Sequence, residues 1–339
     1  MNYIKHISIY ILLILFSCTK EIEIPIENQS KQFVVSGLIE KGKPATVLLQ
    51  RSLPYFDPIV LDIEELLDIE ELLDIEDYEN WIARIANDLA FVDNATVKIT
   101  TSNGDSEILS PSFGLTETWF YNYIGSNIIG QEGVSYRLEI EKEDTLVWAI
   151  TTIPELPEIN EDNVRFLYRP DDSAYCYLAG TLTDPDTIGN CYRAFSKTSS
   201  TDWGEDRFFM PMLEQDGNYN DEYINGWVDF AFPMYKGRGF WQEWGKQENE
   251  ETNEEVDGSS GATTGFWNIG DEVQVKWSAV DRGSWDFWIS LQYNNPGGPF
   301  GSPAQAKTNI NGGLGVWSGM SSQYIPEGDD YWIAEPEED

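Results

Sequence analysis

Along much of the chain, apolar and polar residues alternate with a period of two. Ala95-Thr96-Val97-Lys98-Ile99-Thr100 puts Ala95, Val97 and Ile99 on one side, the pattern of a half-buried strand. Residues 33–39 and 46–49 read as strands split by the turn Lys41-Gly42-Lys43-Pro44. Residues 134–140 and 146–150 repeat the pattern around Glu143-Asp144, and Asn103-Gly104 is a hairpin signal. Short strands at regular spacing predict a mainly β protein. Its first unit is expected over 31–153, as an immunoglobulin-like antiparallel sandwich. Pro154 and Pro157 stiffen a linker, placed at 154–162. A second β-rich domain is expected over 163–335. Its strands are near 164–168, 175–183, 190–196, 207–213, 226–233 and 272–280. Within it, Trp285, Trp288, Ile289 and Gln292 fall at three- and four-residue steps and predict a short helix over 284–291. The stretch 294–319, rich in Gly, Asn and Pro, is expected to be irregular backbone.

Two segments break the pattern. Leu61-Asp62-Ile63-Glu64-Glu65-Leu66 is repeated at 67–72 and begins again at Leu73. A six-residue repeat advances about 240° on a helix, so the copies share no face; it reads as an expanded loop within an acidic insertion, 57–90. Behind it, Asp77 can cap a helix presenting Trp81, Ile82, Ile85 and Leu89. Residues 247–261 are acidic, then Gly- and Ser-rich, and read as a loop.

The start of the chain is of another kind. Residues 7–16 form an apolar run of about ten residues behind Lys5, too short to span a bilayer and suited to a signal-peptide core. Leu15-Phe16-Ser17-Cys18 resembles a bacterial lipobox. Residues 1–17 are thus expected to be a lipoprotein signal peptide, Cys18 the acylated first residue, and 18–30 a tether. More than one acyl chain is what stable anchoring needs.

Charge and side-chain inventory narrow the function classes. The 339 residues carry 21 Lys+Arg and 59 Asp+Glu, a net charge of −38. Removing the leader takes away Lys5 and no acid, leaving 20 basic against 59 acidic residues, or −39. Such a field repels nucleic acid and anionic lipid. The single histidine, His6, lies in the leader. A mature chain without imidazole has no Ser-His-Asp or Cys-His nucleophile and no histidine-bound zinc. Cys176 and Cys191 fall on two predicted strands around Asp184-Pro185-Asp186. In a simple hairpin Cys176 would sit about six residues, or ~20 Å, from the residue facing Cys191. Disulfide Cα atoms need about 7 Å, so two unpaired buried thiols are expected, with a bridge open only to strands that are not direct neighbours.

Candidate sites are few. Asp216-Gly217-Asn218-Tyr219-Asn220-Asp221 is like the first half of a calcium loop, but Asp221 stands where glycine is needed and Trp227 where glutamate is needed. Paired carboxylates are too abundant to single out a dyad. Among 13 Trp, 17 Tyr and 16 Phe, Trp203, Trp241, Trp244 and Trp267 lie in Gly- or acid-rich contexts and are the candidates to stack on a sugar or a protein partner. No cofactor or metal is indicated.

Several segments together resemble the domain of unknown function 4249 family of Bacteroidota lipoproteins. They are Phe33-Val34-Val35-Ser36-Gly37-Leu38-Ile39-Glu40, Arg51-Ser52-Leu53-Pro54, Asn94-Ala95-Thr96-Val97 and Thr151-Thr152-Ile153-Pro154. Thr183-Asp184-Pro185 leading to Asn190-Cys191-Tyr192-Arg193, the stretch from Asn220 to Gly226, and Pro299-Phe300-Gly301-Ser302-Pro303 running into Asn309–Trp317 complete the set. Cys191, where the family more often has an aromatic residue, and the six-residue repeat depart from it. The Lys20-bearing acidic tether resembles the export signal to the outer face of the outer membrane. The resemblance implies a non-enzymatic accessory lipoprotein beside a TonB-dependent transporter; the alternative is a surface carbohydrate-binding lipoprotein using the loop tryptophans.

Overall fold

In chain order the strands are β1 (Phe33–Glu40), β2 (Pro44–Arg51), β3 (Thr96–Thr101), β4 (Ser106–Ile108), β5 (Ser110–Leu115) and β6 (Phe120–Ile129). Next come β7 (Ser135–Lys142), β8 (Thr145–Thr152), β9 (Arg165–Arg169), β10 (Asp172–Leu182), β11 (Cys191–Ser199) and β12 (Met210–Pro211). They end with β13 (Asn218–Asn220), β14 (Phe230–Met234), β15 (Trp267–Asn268), β16 (Glu272–Val280), β17 (Leu314–Ile325) and β18 (Trp332–Ile333); helix α1 (Arg282–Gln292) stands before β17. This computed structural model describes residues 32–52, 91–118, 120–199, 209–212, 218–222, 226, 230–237, 265–292, 306–328 and 330–336. The protein is mainly β, with one α-helix and a single 3-10 turn, Glu161–Asn163, among the described residues.

A ten-stranded sheet runs β12-β11-β16-β17-β1-β2-β6-β5, with β13 added to β11 and β18 to β16. Two four-stranded sheets accompany it, β4-β3-β7-β8 and β14-β10-β15, the latter with β9 on β10. Alternation decides how they stack. Phe33, Val35 and Ile39 of β1 turn into a core shared with Val97, Ile99, Leu138, Ile140, Val147 and Ala149 of the first small sheet. On β11 and β16, Tyr192, Ala194, Val273, Val275 and Trp277 turn into a second core with Cys176, Leu178 and Phe232 of the other small sheet. Strand β17 carries Trp317 to the first core and Ile325 to the second. Those residues are eight apart, an even spacing, so both cores lie on the same face of the long sheet.

Two expectations are corrected here. The segment 31–153 is not a self-contained sandwich. β1 pairs in parallel with β17, Val34 against Leu314 through Glu40 against Met320, so one sheet crosses the expected 154–162 boundary. Nor does that boundary divide the cores cleanly, since Ile310 and Trp317 return to the first. The second correction is β17, a twelve-residue strand beginning inside the stretch expected to be irregular. Its glycines permit close contact. A Cβ on Gly315, whose φ is +103°, would lie 1.9 Å from the Val35 carbonyl oxygen. Opposite Trp317, Gly37 of β1 leaves room for the indole, and a Cβ there would fall 2.6 Å from the ring.

Other expectations hold, one for a different reason. Strands at 272–280 and the helix over 284–291 form as the periodicity predicts. Asp281 starts that helix, its Oδ1 accepting from Ser284 N at 3.1 Å. Cys176 and Cys191 are free and buried. Their strands are not a hairpin: β10 and β11 belong to different sheets, and the turn between them crosses from one layer to the other.

Candidate functional site

Alternation leaves the other face of the long sheet with Glu40 of β1, Lys276 of β16 and Tyr324 of β17. Every position of β16 after Glu272 is buried, and Lys276 is 1% exposed. A lysine there demands partners. Its Nζ lies 2.8 Å from Glu40 Oε1 and 3.3 Å from Glu117 Oε2. Lys43, from the β1–β2 turn, lies 2.8 Å from Glu117 Oε1 and 3.3 Å from Glu40 Oε2. It also donates to the Tyr324 hydroxyl at 2.7 Å, and that hydroxyl donates to Glu117 Oε2 at 2.5 Å. Two ammonium groups meet two carboxylates, so the cluster is neutral and its oxygens are engaged.

The electrostatics agree. Burial alone would raise the Glu40 carboxyl, but Lys276 and Lys43 outweigh it and hold it below its ordinary value. Glu117 feels the same burial and is brought down to about 2 by Lys276, Lys43 and the Tyr324 hydroxyl. Burial, then Glu40 and Glu117, drive the Tyr324 phenol upward. Burial opposes the charge on Lys43, yet Glu40 and Glu117 raise its pKa. The cluster ties β1, the β1–β2 turn, the β5–β6 connection, β16 and β17 together. Chemically it is an ion lock in which both oxygens of each carboxylate already meet a cation, with Lys43 and Glu117 at its solvent side.

A second feature is a cavity of about 240 Å³ where the two halves meet, lined by Thr152, Pro154, Glu155, Asn190, Cys191 and Arg282 among others. Asp281 at its edge is fully used: Oδ2 accepts from Thr151 Oγ1 at 2.7 Å, from Gly319 N at 3.1 Å, and from Ser284 Oγ. Cys191 is no nucleophile, since burial pushes its thiol up to about 12 against the partial relief from Arg282. Cys176 is pushed to about 12 by burial and then by Asp271.

Of the tryptophans singled out from the sequence, Trp267 is corrected. It is 0% exposed, packs edge-on to Phe166, and donates Nε1–H to Thr198 Oγ1 at 3.1 Å. A ring with no open face is core, not a stacking platform. Trp203, Trp241, Trp244 and Cys18 lie outside the described residues, as do the six-residue repeat, the helix expected behind Asp77 and the loop at 247–261. Of the calcium-like stretch, Asn218–Asn220 form β13 against β11. Asp221 accepts from Gly189 N at 2.7 Å and Asn190 N at 2.9 Å, so its carboxylate fastens a turn. Sequence reasoning missed the ion lock. Its available signal was Lys276, a rare cation in an apolar run of an acidic chain.

Comparison with curated proteins and with solved structures finds no match. A family model described as a domain of unknown function, DUF4249, matches residues 19–324. The match covers most of the chain, and the protein belongs to the DUF4249 family.

Proposed function

We propose that the protein is an outer-membrane lipoprotein, held by acyl chains on Cys18 at the cell-surface side, that serves a TonB-dependent transporter as a non-enzymatic binding or covering module. The observation that carries this reading is the junction at Cys18. An apolar run of signal-peptide length ends there, and the family match begins at the next residue. The path of the chain suits an anchor. The tether leads into β1, which pairs with β2 on one side and β17 on the other. Tension on the N-terminus is therefore borne by an interior strand of the longest sheet rather than by a peelable edge.

Mass spectrometry of the native protein tests the anchor. Acyl chains on an N-terminal Cys18 are expected, and an unmodified, freely secreted chain would overturn the reading. Extraction in mild detergent tests the partner. Co-purification with a transporter is expected, and recovery of acylated protein alone would remove the accessory role.

A further inference from the structure

The cavity of about 240 Å³ has the volume of about eight waters at ~30 Å³ each. Its walls come from distant parts of the chain: the end of β8, the linker after it, the β10–β11 turn, the start of β11 and the β16–α1 junction. Most polar groups on those walls are used within the fold. Thr152 Oγ1 meets Ser135 Oγ at 2.7 Å, and the Tyr192 hydroxyl donates to Asp184 Oδ1 at 2.6 Å. Asn190 gives its amide N–H to the Thr187 carbonyl oxygen at 3.0 Å, and the Asp281 carboxylate is taken by Thr151, Ser284 and Gly319. The charged groups left open are one of each sign. Glu155, an exposed residue, has no hydrogen bond or ion pair among the described residues. Arg282 donates Nε–H to Asp286 Oδ1 at 3.3 Å and lies over the Trp285 ring, 4.9 Å from its centroid, while neither Nη has a partner among the described residues.

The Arg282 fork is thus held at its root and open at its tip, the arrangement that takes a carboxylate in two parallel hydrogen bonds. Arg282 also opens α1, where the helix dipole disfavours a cation and favours an anion. A bare anion is nonetheless poorly suited. Asp221, Asp281 and Asp286 all push the Cys191 thiol upward and only Arg282 opposes them, in a chain of net charge −38. A ligand that brings its own cation meets no net repulsion and satisfies Glu155. Pro154, Cys191, Ala279 and Val280 supply apolar wall. Among the described wall residues Tyr192 alone is aromatic, and it is 1% exposed, so no ring face is open for a sugar to stack on.

We propose that this cavity binds a small zwitterionic α-amino acid with an aliphatic side chain, its carboxylate on the Arg282 fork, its ammonium on Glu155 and its side chain against Pro154 and Val280. Valine, with roughly eight non-hydrogen atoms, matches a space of about eight waters. The inference rests on the binding role proposed above and names its ligand class; it needs neither the acyl chains nor the transporter.

The test is calorimetric titration of the full-length protein in detergent with L-valine, for which saturable binding is expected. Isovalerate, which lacks the ammonium, and isobutylamine, which lacks the carboxylate, are expected to bind at least about tenfold more weakly. Arg282→Gln and Glu155→Gln are each expected to weaken valine binding by a similar factor; both residues are exposed, so neither change touches a core. Glu158→Gln, exposed on the same linker, is expected to leave binding unchanged. No binding of valine at millimolar concentration overturns the inference, as does binding that survives both changes. Isovalerate held as tightly as valine, or glucose bound in its place, overturns it too. Each of these results leaves the Cys18 anchor standing. An unacylated chain that still binds valine sinks the anchor and keeps this site.

Discussion

The two faces of the ten-stranded sheet are closed differently, because only one of them buries an ion cluster. One is covered by two small sheets and closed by apolar volume, with Trp317 and Trp277 fully buried. The other joins a smaller apolar cluster, Cys191, Phe195, Phe209, Val280 and Met320 with Trp285 of α1 packed on it, to a buried charge cluster of Lys276 and Glu40 beside Glu117, Lys43 and Tyr324. An apolar face draws its stability from area removed from water and tolerates partial loss. A buried ion cluster contributes little net stability while whole, and its loss of one member leaves a charge without its partner. The first kind of face is defended by shape, the second by stoichiometry.

Substitutions sharpen that contrast. The largest effect is expected on the apolar side: Trp317→Ala should cost about 3–5 kcal/mol in denaturant unfolding, the range for removing a buried aromatic. A loss under about 1 kcal/mol would mean the first core does not depend on the indole. On the charged side, Lys276→Ala should cost about 3 kcal/mol by leaving Glu40 and Glu117 to share Lys43 alone, whereas Lys276→Met with Glu40→Met should recover most of it. If the double change is as damaging as the single one, the cluster is more than a balanced pair. Gly37→Ala should cost about 1–3 kcal/mol, because the methyl collides with the Trp317 ring. A neutral result would show that the indole can shift.

The smallest expected effect is in acid. Glu117 has an ordinary carboxyl value of 4.5 and is held at about 2 in the fold. A carboxylate depressed by folding contributes stability that is fully present above its unfolded value and is lost as pH falls toward the folded one. The unfolding midpoint should therefore decline between about pH 4.5 and 2, and Glu117→Gln should flatten that decline. Glu117 is 42% exposed in its side chain, so water screens its share and the change is modest. An unchanged acid profile in Glu117→Gln would remove this residue from the lock.

How much of this was legible depended on whether the information was local. Period-two alternation at 95–100 and 134–140 gave strands, because a half-buried strand writes its burial into its own sequence. The three- and four-step spacing of Trp285, Trp288 and Ile289 gave the helix for the same reason. Glycines hid β17: Gly312, Gly313, Gly315 and Gly319 look like loop composition, yet they are small because neighbouring backbone or side chains crowd them. Trp267 was misread because Gly265 and Gly270 mark turns on either side of a two-residue strand, β15, which carries the ring into the second core. The ion lock was out of reach, since Lys276 and Glu40 are 236 residues apart and no local pattern pairs them. The abundance of carboxylates concealed the two that mattered.

The parallel pairing of β1 with β17 also sets the order of events in the life of the chain. The first strand made is stabilised on one side by a segment ending at Ile325, near the close of the sequence. Until that late segment arrives, β1 is paired with β2 alone, and the long sheet exists only as two unjoined pieces. Such distant closure slows folding. Synthesis can thus run nearly to completion on an unlocked polypeptide.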